Sequence, residues 1–137
     1  MSDSVFLDTN LLIYYVSDDL PKKKRVHDLL ITASSVTVSS QVINEFVAVT
    51  IRKKIHLRED ALRIAGEFMD LFTVIPVDEK VIRSSFDLMM KHGYSSWDSL
   101  IVAAALQSRV KILYSEDLHH GQVIDGRLTI INPFKTD

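Results

Sequence analysis

A chain of 137 residues, 47% of them apolar, is the length of one domain and can furnish a sizeable core. Its net charge of -2 excludes a globally basic nucleic-acid binder, and its lack of cysteine excludes disulfides and thiolate zinc sites. No apolar run approaches the roughly 20 residues that span a bilayer, and the polar start Met1-Ser2-Asp3-Ser4 has no cationic region before an apolar stretch, so a soluble cytoplasmic protein without a membrane partner is expected.

In chain order, Val5-Phe6-Leu7 is a short apolar run that stops at Asp8-Thr9-Asn10. Runs of this kind suit strands covered on both faces. Asp8 has the side chain to cap a helix beginning near Asn10. Pro21 fits the first turn of a helix that runs to about Thr32. Residues 36–38 form the second strand, and Ser39 or Ser40 caps a helix through about Lys54. A helix over about 58–70 leads to a third strand at 72–75, which Pro76 stops. Asp78 and Ser95 are N-caps for helices at about 78–92 and 96–109, with Gly93 ending the first of them. Further strands are expected at 111–114 and 128–131, the last closed by Pro133. Strands alternating with helices imply an α/β fold, a central parallel sheet flanked by helices on both faces, over 1–137 as a single domain. Ligands of such sheets bind beyond the carboxyl ends of the strands.

Four acidic positions meet that requirement. Asp8 ends the first strand, Glu45 lies in the second turn of the helix after the second strand, Asp98 lies in the first turn of the last long helix, and Asp117 follows the strand at 111–114. Helical spacing aligns Glu45 with Val42, Ala48 and Val49, and Asp98 with Ile101, Val102 and Ala105. A carboxylate on an apolar stripe is costly unless paired or bound to metal, and few Lys or Arg flank these positions. Ordinary structural roles compete: Asp8 as a cap, Asp98 in a capping box with Ser95, Asp117 in an exposed turn. Glu45 has no such role, because a mid-helix glutamate caps nothing. Clustered carboxylates repel and raise one another's pKa, and a hard divalent cation relieves this. Oxygen-only ligands suit magnesium or manganese, which can activate water for attack on a phosphodiester as one ion or two.

Phe6-Leu7-Asp8-Thr9-Asn10, Asn44-Glu45-Phe46, Trp97-Asp98-Ser99-Leu100-Ile101-Val102-Ala103-Ala104-Ala105 and Ser115-Glu116-Asp117-Leu118 together resemble, in order and spacing, the four motifs of PIN-domain ribonucleases. They most resemble the VapC-type toxins of bacterial and archaeal toxin–antitoxin pairs. The resemblance covers essentially the whole chain. It implies a PIN-like α/β domain and a hydrolase: an endonuclease that cuts RNA with Mg2+ or Mn2+. It also implies a homodimer, and a cognate antitoxin whose C-terminal tail blocks the site. Asp8, Asp98 and Asp117 match metal ligands, Glu45 matches the remaining acidic position, and Thr9, Asn10 and Ser115 match supporting polar positions. Ser115-Glu116-Asp117 offers two adjacent carboxylates, of which one faces inward from an extended segment. Spacing favours Asp117, with Glu116 the alternative.

Other features carry less. His119 and His120 are adjacent and suit a chelating pair poorly, and His27 and His56 read as surface residues. Trp97 reads as core or dimer interface before it reads as a base-stacking platform; Tyr14, Tyr15, Phe68, Phe72, Phe86, Met89 and Met90 read as packing or interface filler. Lys22-Lys23-Lys24-Arg25 and Arg52-Lys53-Lys54 read first as solvated helix faces and second as phosphate contacts. A metal-dependent phosphohydrolase of the haloacid dehalogenase type needs a second Asp two residues after the first, where this chain has Asn10. A receiver-like domain has no place for Glu45. A non-catalytic relative that binds RNA or a partner is disfavoured by all four acidic positions being present. No residue pattern names the RNA target or its contacts.

Overall fold

The computed structural model describes residues 4–135. Its elements run β1 (Ser4–Leu7), α1 (Thr9–Val16), α2 (Leu20–Thr32), β2 (Ser35–Ser39), α3 (Ser40–Arg52), α4 (Arg58–Leu71), β3 (Thr73–Ile75), α5 (Glu79–His92), α6 (Ser96–Ser108), β4 (Ile112–Tyr114), β5 (Val123–Ile124) and β6 (Leu128–Ile131). The strands form one sheet in the order β3-β2-β1-β4-β6-β5, and every pairing is parallel except β5 with β6. The fold is therefore α/β with a mostly parallel sheet.

β1 lies inside the sheet, between β2 and β4, and its Val5, Phe6 and Leu7 are all buried. That placement is why its apolar residues do not alternate with polar ones. Crossovers, expected to be right-handed, carry β1 to β2 and β2 to β3 in one direction, then β3 back across to β4. Helices α1 to α4 accordingly lie together on one face, and α5 with α6 on the other. The reversal leaves β1 and β4 as neighbours whose connections diverge. A crevice is expected at such a switch point, beyond the carboxyl ends of both strands.

The helix ends follow residue chemistry. Asp19 caps α2, Ser39 α3, Asp78 α5 and Ser95 α6, each accepting a hydrogen bond from a backbone N–H of the first turn. Gly93 ends α5 in the left-handed region at φ 70°. Arg109 ends α6 with φ 63°, a conformation that costs a non-glycine residue about 1 kcal/mol or more. Helix α6 is buried from Ile101 to Leu106, which seats it between the sheet and α5.

Some expectations need correction. Phe72 is not in the third strand: its N–H returns to the Phe68 carbonyl at 2.8 Å and closes α4, while its ring stacks on Phe68. The short β5 was not anticipated. The helix expected to reach Lys54 stops at Arg52, and Lys54 takes φ 56°. Trp97, Phe86 and Met90 are not core, being 64%, 56% and 89% exposed; the buried side of α5 is instead Val81, Ser85 and Leu88. No helix among the described residues is long and apolar enough to cross a membrane.

Candidate active site

Asp8 follows β1 at the switch point. Its N–H bonds the Tyr114 carbonyl of β4 at 3.0 Å, which ties the end of β1 to the end of β4. Its carboxylate caps α1, accepting the Thr9 N–H at 2.7 Å on Oδ1 and the Ser115 hydroxyl at 2.8 Å on Oδ2. The expected capping role and the acidic cluster are therefore one and the same placement. Asp8 is only 8% exposed. Burial pushes its carboxyl up from 3.8 to about 6; the bonds from Ser115 and Thr9 pull it back, and Asp117 and Glu45 push it up further.

Thr9 turns its hydroxyl to Glu45 Oε2 at 2.8 Å, joining α1 to α3. Glu45 Oε1 accepts from Gln41 Nε2 at 2.9 Å, one turn earlier on α3, and the same amide nitrogen reaches the Trp97 carbonyl at 3.3 Å. Gln41 thus links Glu45 to the start of α6. Gln41 Oε1 is buried without a hydrogen-bond donor among the described residues. At the head of α6 the Asp98 N–H donates to the Ser95 hydroxyl at 3.1 Å, as a capping box requires. The Asp98 carboxyl is nonetheless raised, first by burial and then by the charges of Asp117 and Glu45, against the lowering effect of Ser95. The Ser95 cap and the nearness of Asp98 to the other carboxylates are compatible with one placement.

Beyond β4, the buried Ser115 hydroxyl also accepts from the N–H groups of Asp117 and Leu118, at 3.2 and 3.3 Å, and so shapes the turn that carries Asp117. Asp117 is exposed, and its Oδ2 accepts from Asn10 Nδ2 at 2.9 Å. Glu116 points elsewhere. Its Oε1 accepts from the Tyr14 hydroxyl at 2.5 Å and its Oε2 from Lys22 Nζ at 2.6 Å. Burial would raise the Glu116 carboxyl, but Lys22 and Tyr14 outweigh it and hold it below the usual range. Of the two adjacent carboxylates, Asp117 is the one whose charge is felt by Asp8 and Asp98.

Asp8, Glu45, Asp98 and Asp117 thus come together electrostatically, with Thr9, Asn10 and Ser115 bonded to three of them. The donor set is all oxygen, is net negative and contains an acceptor without a donor in Gln41. That chemistry fits magnesium or manganese. Among the described residues, however, no three acidic or histidine side chains stand at the spacing that holds an ion without adjustment. The carboxylates of Asp8, Glu45 and Asp117 are tethered instead to neutral or backbone donors, which an ion would have to outcompete.

Three of the histidines are engaged outside this group: His120 Nδ1 accepts from the Asn132 N–H, His92 stacks on Tyr94, and His56 Nε2 meets the Val16 carbonyl. The first basic run is largely spoken for, with Lys22 on Glu116, Lys24 on Asp28 and Arg25 on the Pro133 carbonyl, whereas Arg52, Lys53 and Lys54 are exposed. Sequence reasoning missed Gln41, although its place four residues before Glu45 on one helix face was a readable signal. It also read Tyr14 as plain packing.

A parallel sheet with four carboxylates gathered at its switch point defines a class of acidic-site α/β domains. The chain belongs to the PIN-domain family, whose sequence model matches residues 5–124. No curated protein matches it in sequence. Its fold is similar to that of a toxin–antitoxin complex from Klebsiella pneumoniae, with a TM-score of 0.72 at 20% identity, covering 96% of this chain and 99% of that one. It is similar to VapC20 of Mycobacterium tuberculosis, a sarcin-ricin loop cleaving toxin, with a TM-score of 0.69 at 18% identity over 82% of this chain and 89% of the toxin. FitAcB of Neisseria gonorrhoeae matches with a TM-score of 0.67 at 19% identity over 96% of this chain and 99% of the other. At these identities the likeness is one of fold.

Proposed function

We propose that residues 1–137 act as a single PIN domain that is a metal-dependent endoribonuclease, the toxin of a toxin–antitoxin pair. The observation that carries this reading is the mutual crowding of four carboxylates at the switch point, where burial and like charge hold Asp8 and Asp98 above their ordinary values. Family membership and the toxin–antitoxin character of similar folds support it.

In this reading Asp8, Asp98 and Asp117 hold Mg2+ or Mn2+, and Glu45 supplies the fourth negative charge. The bound cation supplies a lowered water pKa and a countercharge for the cleaved phosphodiester. The protein's part is orientation. Ser115 and the Thr9 N–H fix the two oxygens of Asp8, Thr9 and Gln41 fix those of Glu45, and Asn10 steadies Asp117. The partners that follow are RNA, a cognate antitoxin and a second copy of the chain, and the compartment is the cytoplasm.

One observation favours a second reading. Since no three side chains among the described residues stand at ligand spacing, a non-catalytic PIN relative that binds RNA or a partner would look the same. Cleavage of RNA with Mg2+ or Mn2+ separates the two. Wild type should cut, EDTA should stop it, and Asp8→Asn or Asp98→Asn should each abolish cutting in a folded protein. Cutting that survives the double variant would remove the site from this position; an inert wild type with either metal would favour the second reading. For the toxin role, expression alone should arrest growth and co-expression of the antitoxin should restore it.

A further inference from the structure

Lys22 is poorly described as a surface charge. Its Nζ lies 2.6 Å from Glu116 Oε2 and 3.0 Å from the Tyr14 hydroxyl, and sits 4.2 Å above the Tyr14 ring and 5.0 Å from the Phe134 ring. The ion-paired side chains are only 32% and 25% exposed. Exposed pairs contribute little, but this one is shielded, charge-assisted and shared with a second donor to the same carboxylate. The Phe134 ring meets the Tyr14 ring edge-on at 5.1 Å, and Arg25 holds the Pro133 carbonyl at 2.9 Å, so the chain beyond β6 closes over the group. Three separate segments (α1, α2 and the turn after β4) therefore meet at Glu116.

Glu116 is the immediate neighbour of Asp117, in the turn that the Ser115 hydroxyl shapes by accepting from the Asp117 and Leu118 N–H groups, and its carboxylate is bonded to Tyr14 and Lys22 while that of Asp117 is bonded to Asn10. Among the described residues the Asp117 side chain has a single tether, the amide of Asn10, at an exposed position. One exposed hydrogen bond restrains a carboxylate weakly. Lys22 and Tyr14 bond both oxygens of one of the two adjacent carboxylates, that of Glu116.

We infer that Lys22, Tyr14 and Glu116 form a positioning clasp, one that turns Glu116 out of the acidic cluster and so aims Asp117 into it. The inference rests on the metal-site reading above and adds residues that touch neither metal nor substrate. It also gives the first basic run a use that is neither solvation nor phosphate contact.

Mn2+ binding, followed by calorimetry or by loss of the free-ion signal in electron paramagnetic resonance, tests it without reference to cleavage. The clasp is removed with Lys22→Met combined with Glu116→Gln, so that no freed carboxylate adds its charge to the cluster. This double change should weaken Mn2+ binding about tenfold or more, the scale on which supporting partners of ligands act. In an Asp117→Asn background the same double change should do almost nothing, because the residue it positions is gone. Tyr14→Phe keeps the ring against Phe134 and should give a smaller weakening of the same sign, which keeps the test alive if the double variant folds poorly. Equal weakening in both backgrounds, or none in either, overturns the clasp. Unchanged Mn2+ binding by Asp8→Asn and Asp98→Asn overturns the metal site itself, so the two failures are told apart.

Discussion

The Asp8 carboxyl gives up its proton less readily in the fold than in the open chain, about 6 against 3.8. The folded protein then binds that proton more tightly than the unfolded one. The stability this confers is fully present below pH 3.8 and is lost as pH rises through about 6. At 1.36 kcal/mol per pH unit the penalty at neutral pH is at most about 3 kcal/mol. In EDTA, Asp8→Asn should melt no lower than wild type at about pH 7.5, with the difference closing toward about pH 4. A variant less stable than wild type at the higher pH would mean that the buried charge costs nothing. Ser115→Ala removes the donor to Asp8 and the acceptor for two backbone N–H groups, so it should cost about 1–3 kcal/mol in a denaturant titration. It should also move the acid limb of Mn2+ binding to higher pH; an unmoved limb would separate Ser115 from the function of Asp8. Glu45 and Asp98 were legible at this scale because a carboxylate on an apolar stripe violates its local pattern. The different surroundings of Glu116 and Asp117 were not, because the partners of Glu116 are Lys22 and Tyr14, 94 and 102 residues away in sequence.

The elements differ in what their ends are for. Ser95 caps α6 through the Asp98 N–H, whereas Asp78 caps α5 through the Val81 N–H, on a helix that brings no acidic ligand to the cluster. Ser95→Ala and Asp78→Ala should each cost about 1 kcal/mol of stability. Only Ser95→Ala should also weaken Mn2+ binding, since it frays the turn that places Asp98. Equal effects on binding would show the cap of α6 to be ordinary. The longer elements were readable from apolar runs, caps and the Gly93 stop. The β5 strand was not, because two residues, Val123 and Ile124, carry no periodicity and form a strand only by pairing with β6. Phe72 looked like the start of a strand because it is aromatic; its ring stacks on Phe68, one turn back on α4, and helix closure prevails. The exposed aromatic and thioether side chains of α5 and α6 show the limit of reading large apolar residues as core.

At the scale of the molecule, four carboxylates held at one end of the sheet are a store of repulsion that a cation can release. Mn2+ should therefore raise the melting temperature of the wild type, by the equivalent of about 2.7 kcal/mol at a hundredfold excess over the dissociation constant. The paired Asp8→Asn and Asp98→Asn variant should show no rise, and a rise in that variant would locate the ion elsewhere. The α/β class was legible from the alternation of runs and helices alone, and the same alternation is what points to the carboxyl ends of the strands as the place for a candidate site. The strand order was not, because which strand β4 joins depends on pairing over more than a hundred residues. That pairing has a consequence for how the protein is born. Synthesis delivers β1 before β4, yet one of its two edges waits for Ile112–Tyr114, and Asp8 waits for Ser115. A nascent chain stalled before that point has made Asp8, Glu45 and Asp98 but owns no assembled centre. The segment around β4 and Ser115, made well after Asp8, is what lets this arrangement close.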